Sequence, residues 1–176
     1  ADSDFFKAWL RSQYANKIRE RKRDAKPEDF DRIATEFHRW LREAAPAIGL
    51  EKSDDFYRLI DRDFNFYSRQ YLRIIVASRE LTPGLEHVFY NAQNGFTLQN
   101  MLLLAPLTPD DEPAVIDRKI ELVARYVDIL LTWRLWNFRN ISYSTMQYAM
   151  FLTMRDIRCL PPDELARKLH ASLSEE

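Results

Sequence analysis

Apolar side chains recur along this chain at steps of three and four residues, the spacing that gathers them on one face of an α-helix. Phe6, Trp9, Leu10, Tyr14 and Ile18 form the first such stripe and predict a helix from Asp4 to about Lys26. Pro27 suits the first turn of a second helix, whose stripe of Phe30, Ile33, Phe37, Trp40 and Leu41 runs until Pro46 and Gly49 interrupt it. The two are expected to form an antiparallel hairpin. Ser53 followed by Asp54 and Asp55 offers a capping hydroxyl and carboxylates for the positive end of a helix dipole. A long helix should follow, carrying Phe56, Ile60, Phe64, Tyr67, Tyr71, Ile74 and Ile75 on one face. It keeps phase through Asp61-Arg62-Asp63, with a break there as the alternative, and ends near Glu80.

Thr82-Pro83-Gly84 punctuates the chain, a shorter helix covers about Leu85 to Gln93, and Gly95 ends it in a left-handed conformation. Gln99 to Ala105 reads as a short buried helix. Leu107 to Pro113 has two prolines and no apolar period, so the division between residues 1–106, an N-terminal helical subdomain, and 107–176, a C-terminal one packed on it, is placed there. Beyond it Ile116, Ile120, Val123, Val127, Leu130, Leu131, Leu135 and Phe138 make the cleanest stripe, predicting a central helix. Asn140-Ile141-Ser142 turns the chain, and Ser144 with Gln147 matches a capping box ahead of Met146, Met150, Phe151, Met154 and Ile157. Pro161-Pro162-Asp163 opens a last helix with Leu165, Leu169 and Leu173 on its face. The expectation is an all-α fold, an irregular bundle of about seven or eight helices with one long central helix.

Composition agrees with that picture. Eleven Phe, eight Tyr and four Trp contribute to a 46% apolar share, while three glycines are too few for the tight turns of a β-sandwich or barrel. The formal net charge of −1 predicts no general attraction to nucleic acid or anionic membrane, so any such patch must be local. Cys159 is the sole cysteine and fits a reducing cytoplasm. The longest apolar stretch, Met101 to Leu107, is too short to span a bilayer. The chain opens Ala1-Asp2-Ser3-Asp4 without an initiator Met and is expected to be a piece of a larger protein.

Candidate chemistry is sparse. Lys17, Arg19, Arg21, Lys22, Arg23 and Lys26 form a basic segment diluted by Glu20 and Asp24. It can neutralise phosphates, or serve only as a solvated helix end whose cations favour the negative dipole terminus; no aromatic reader is interleaved. Arg134, Asn137, Arg139 and Asn140 either tie the end of the central helix to the next turn or contact an anion or another domain. Trp133 and Trp136 lie off the stripe and face either a second layer of helices or a surface that other domains cover. His38, His87 and His170 lack a second ligand at metal-binding spacing. Asp61 and Asp63, and Asp110, Asp111 and Glu112, read as capping and solvating groups. Ser142 to Thr145 offer hydroxyls without a nucleophile elbow or phosphate loop, so no catalytic, cofactor or metal residue is assigned.

Three segments carry a resemblance: Asp54-Asp55-Phe56-Tyr57-Arg58, Thr82-Pro83-Gly84-Leu85-Glu86, and above all Arg134-Leu135-Trp136-Asn137-Phe138-Arg139-Asn140-Ile141-Ser142-Tyr143-Ser144. Through them most of the chain resembles the helical middle region of GmrSD-like proteins, bacterial proteins related to modification-dependent restriction endonucleases and implicated in phage defence. The resemblance implies a ParB-like nucleotide-hydrolysing domain on one side and, in many members, a His-Asn-His nuclease domain on the other. Neither the Asp-Gly-Gln-Gln-Arg motif of the first nor the histidine pattern of the second occurs in this chain, so no catalytic residue carries over. The expectation is a non-catalytic structural and interaction domain whose partners are the other domains of the parent protein. DNA contact through the basic segment is the alternative, and an enzyme site assembled from distant polar residues is the third reading. Homo-oligomerisation through exposed aromatics is a further expectation.

Overall fold

The computed structural model describes residues 2–19 and 25–174, and their regular elements are all helical. Helix α1 spans Asp2–Tyr14, α2 Asp29–Thr35 and α3 Phe37–Ala44, followed by a 3-10 turn over Ala45–Ile48. Then come α4, Ser53–Arg58, a π-helical segment over Leu59–Phe64, and α5, Asn65–Arg79. The remaining helices are α6 Glu86–Gln93, α7 Gln99–Leu104, α8 Pro113–Trp136, α9 Tyr143–Asp156 and α10 Pro162–Ser174.

The short apolar helix α7 is the centre of the packing. Met101, Leu102, Leu103 and Leu104 are all buried, and α1, α5, α8 and α9 close around them. Helix α8 supplies Ile116, Ile120, Val123, Val127, Leu130 and Leu131 to the same apolar cluster, with α6 and α10 against its other sides. Residues on both sides of the 107–112 loop therefore share one core. Among the described residues no helix is long and apolar enough to cross a membrane.

Several boundaries differ from the sequence expectation. Helix α1 stops at Tyr14, and residues 15–19 are not helical, so Ile18, Lys17 and Arg19 belong to a connecting segment. The reason lies far away in sequence. Arg158 donates from Nε to the Ser12 carbonyl at 2.7 Å and from Nη2 to Ala15 O at 2.9 Å and Arg11 O at 3.4 Å. These are the carbonyls that a continued helix would use itself, so the guanidinium acts as a C-terminal cap. The face that α1 buries is also rotated: Phe5, Trp9 and Leu10 are buried, and Phe6 is 40% exposed.

The expected second helix is broken at Glu36, whose backbone leaves the helical region (φ −135°, ψ 39°). Lys52, one residue earlier than expected, precedes the first turn of α4, and the Asp55 carboxylate accepts the amides of Lys52 at 2.9 Å and Glu51 at 3.1 Å. The π-helical segment then replaces the in-phase continuation. Its wider turn shifts the apolar stripe, leaving Ile60 66% exposed while Leu59 and Phe66 turn inward. Ser142 rather than Ser144 occupies the N-cap of α9, with its hydroxyl 3.0 Å from Thr145 Oγ1. Gly95 does adopt the left-handed conformation, at φ +72°.

Asp111 corrects the reading of the acidic loop as a solvated cap. Lys119, 2% exposed, donates to Asp111 Oδ2 at 2.7 Å, Oδ1 at 2.9 Å and the Pro106 carbonyl at 2.8 Å, while Asp111 also accepts the Thr108 amide at 2.8 Å. A buried ammonium with three oxygen acceptors pins the loop to α8.

Candidate functional site

Among the described residues, three of the places that combine accessibility with polar chemistry bear on binding. The first is the end of α8. Its stripe is buried through Leu131 and then runs out of core: Leu135 is 45% exposed, Trp136 83% and Phe138 100%. The turn that follows closes as a Schellman motif, with the Arg139 amide on Arg134 O at 2.8 Å and the Phe138 amide on Leu135 O at 3.0 Å. Phe138 therefore holds the left-handed position of that motif, at φ +55°, where glycine is the usual occupant. The expectation that Leu135 and Phe138 face the core is thus corrected.

The polar residues singled out around this turn do meet. Arg134 Nη2 lies 3.5 Å from the Asn140 carbonyl, Asn137 Nδ2 donates to Trp133 O at 2.8 Å, and Asn140 Oδ1 accepts the Ser142 amide at 2.6 Å. The Arg139 guanidinium lies over the Trp133 ring at 4.9 Å. Helix end and turn are tied together in a way that holds Trp136 and Phe138 outward beside two arginines.

The second place contains part of the basic segment. Arg21, Lys22 and Arg23 lie outside the described residues. Lys17 and Lys26 line one cleft of about 400 Å³ with Glu28, Tyr148 and Arg155. Arg19 is set apart, 4.0 Å from Asp31. Tyr148 and Arg155 are seven residues apart on α9, two turns, and so share a face. Tyr148 is 47% exposed, which supplies the aromatic ring that the local sequence around the lysines lacks. An aromatic off the Met146, Met150 and Phe151 stripe was the available signal. Its proximity to Lys17 and Lys26 was not readable from spacing.

The third place has no counterpart among the sequence expectations. A cleft of about 440 Å³ opens between α1, α5, α7 and the start of α9, with Asp4, Lys7, Arg11, Thr97, Asn100 and Tyr143 as its polar lining. Arg11 donates from Nε to the Phe30 carbonyl at 2.8 Å and lies over the Phe30 ring at 3.9 Å. Burial pushes its guanidinium below its ordinary pKa, and the nearby Tyr143 hydroxyl and Asp31 oppose that shift. Arg11 sits beside Leu10 at the edge of an apolar stripe, a position that carries no sequence signal by itself.

His87 departs from its sequence reading only in having a partner: Nδ1 lies 2.8 Å from Asp128 Oδ2 and joins α6 to α8. Among the described residues no three His, Cys, Asp or Glu side chains gather as a metal-binding set. No protein-family model, curated protein or solved structure matches this chain.

Proposed function

We propose that this chain is a non-catalytic helical interaction domain of a GmrSD-like, DNA-targeting protein of the cytoplasm, with the parent's other domains as its partners. The observation that carries the reading is Phe138. A bulky side chain at a left-handed position costs conformational energy, and a fully exposed ring gains nothing from the core. A residue disfavoured twice by folding is explained when a partner covers it. Trp136 and Leu135 extend the same surface, and Arg134 and Arg139 give it a cationic rim, the aromatic and arginine composition of interface anchors. The resemblance across residues 134–144 falls on this turn and adds to the reading.

The test is to express the polypeptides encoded on either side of this chain in its gene and measure their binding to it by sedimentation. Binding that Phe138→Ser together with Trp136→Ser abolishes, without a fall in helicity, is expected. Nucleotide hydrolysis or DNA cleavage by the chain alone refutes the non-catalytic part, and binding indifferent to both substitutions refutes the surface.

A second reading has its own observation. Tyr148 standing beside Lys17, Lys26 and Arg155 combines a stacking ring with phosphate-neutralising cations, the pairing that single-stranded or flipped bases require. Arg21, Lys22 and Arg23 lie between Lys17 and Lys26 in the sequence and add three cations to that stretch. A salt titration decides: affinity should fall with rising salt and lose slope when Lys17, Lys26 or the Arg21 to Arg23 triplet is reversed in charge.

A further inference from the structure

The cleft around Arg11 is built differently from the other two places. Arginine carries five N–H donors, and two of Arg11's find acceptors: Nε on the Phe30 carbonyl, and Nη1 on the Tyr143 hydroxyl at a long 3.4 Å. No carboxylate lies within ion-pair distance of it among the described residues. Half-burying a guanidinium without an anion is unfavourable, and such groups ordinarily sit in bidentate contact with carboxylate or phosphate oxygens. Here the stack on Phe30 and the bond to its carbonyl fix the fork in place, so little side-chain entropy is left to lose when an anion arrives.

The surroundings fit an anion attached to an organic body. Lys7 stands at the rim, 3.9 Å from Asp4, so two cations and one carboxylate line the cleft, with Asp31 acting on Arg11 from outside that lining. The side chains of Asn100 and Thr97 also line the cleft, and among the described residues neither is engaged in a hydrogen bond. Tyr71, Ile75 and Met101 add apolar surface to the same lining. A volume of about 440 Å³ with a few polar groups and apolar surface in its lining has the size and character of a small-molecule site.

We propose that this cleft binds a small organic anion, whose phosphoryl or carboxylate group is held by Arg11 and Tyr143 and whose planar body lies against Tyr71, Ile75 and Met101. The site is independent of the α8 surface and of the basic cleft, and stands or falls without them. It links α1, α5, α7 and the first turn of α9, which also begins just beyond the exposed turn at Phe138, so occupancy would stiffen the base on which that turn rests.

The test uses the full chain labelled with nitrogen-15 and three ligands sharing one ring: phenyl phosphate, benzoate and benzyl alcohol. Saturable shifts of the Arg11 Nε–H and the Asn100 side-chain amide are expected with at least one anion, and the comparison of phosphate with carboxylate identifies which head group the site takes. Arg11→Lys should weaken that anion by about tenfold or more, because a point charge cannot replace a planar fork. Tyr143→Phe, which removes one hydroxyl and leaves the ring, should weaken it by about tenfold or more, the loss of one hydrogen bond to a charged group. If Arg11→Lys does not fold, Tyr143→Phe and Asn100→Ala carry the comparison. The proposal is overturned if benzyl alcohol binds as well as the anions, if shifts fail to saturate, or if the folded variants bind like the parent chain.

Discussion

Replacing Lys119 with methionine keeps the length and most of the volume of the side chain and removes its charge. The change strips two contacts from Asp111 and one from the Pro106 carbonyl, leaving the Asp111 carboxylate 13% exposed and bonded to the Thr108 amide. Removing one partner of a buried ion pair typically costs about 3–5 kcal/mol, because the other charge stays behind. The surviving amide bond and partial exposure of Asp111 place the cost near the lower end, about 3 kcal/mol. For a chain of this size that is a fall in Tm of roughly 6–12 °C. Asp111→Asn strands the more deeply buried ammonium, so it should cost about as much or more, on the order of 3–4 kcal/mol.

Urea unfolding followed by circular dichroism, with both single variants and the double, measures the coupling directly. The double variant should fall short of the sum of the singles by about 2 kcal/mol. Arg73→Met is the control: its pair with Asp117 is as short, 2.6 Å, but the two side chains are 40% and 58% exposed. It should cost no more than about 1 kcal/mol. Additive single variants, or a Lys119→Met cost no larger than the control, refute the assignment of a buried pair that fastens the 107–112 loop to α8.

Arg158→Met should destabilise the chain by about 2 kcal/mol through loss of charge-assisted bonds to the end of α1, and limited proteolysis should then cut first in residues 15–19. Burial, with a smaller contribution from Asp63, pushes Tyr14 up to about 12. The unfolded chain therefore releases this proton first, near pH 10, and stability falls as pH rises from about 10 toward 12. Urea titrations across that range should show a shallower alkaline loss in Tyr14→Phe, and an unchanged slope argues against the shift. Phe138→Gly should leave stability unchanged or raise it by up to about 1 kcal/mol in thermal unfolding, since it relieves a left-handed position; a clear loss would mean that the ring packs on this chain after all.

The all-α class and the local helix signals could be read from the sequence, because a periodic apolar stripe is a property of neighbouring residues. Helix α8 from Ile116 to Leu131, α10 with Leu165 and Leu169, the short buried α7 and the left-handed Gly95 were all legible on that ground. The turn of Arg134, Asn137, Arg139 and Asn140 was legible as a cluster, since its members lie within seven residues.

Where stripes end and which polar groups meet depends on packing between distant segments. Helix α1 stops at Tyr14 because Arg158 takes its last carbonyls, and Asp111 becomes a buried counter-ion because Lys119 reaches it from α8. The π-helical turn rotates one half of a helix against the other, so residues in apparent phase, such as Ile60, fall on opposite sides. Tyr148 joins Lys17 and Lys26 at one cleft, and Arg11 meets Asn100 and Tyr143 at another, the Arg11–Tyr143 bond spanning 132 positions of sequence. Periodicity reports which face of a helix is apolar. What stands opposite that face is set by packing, and in this protein the candidate binding chemistry lies almost wholly in those pairings.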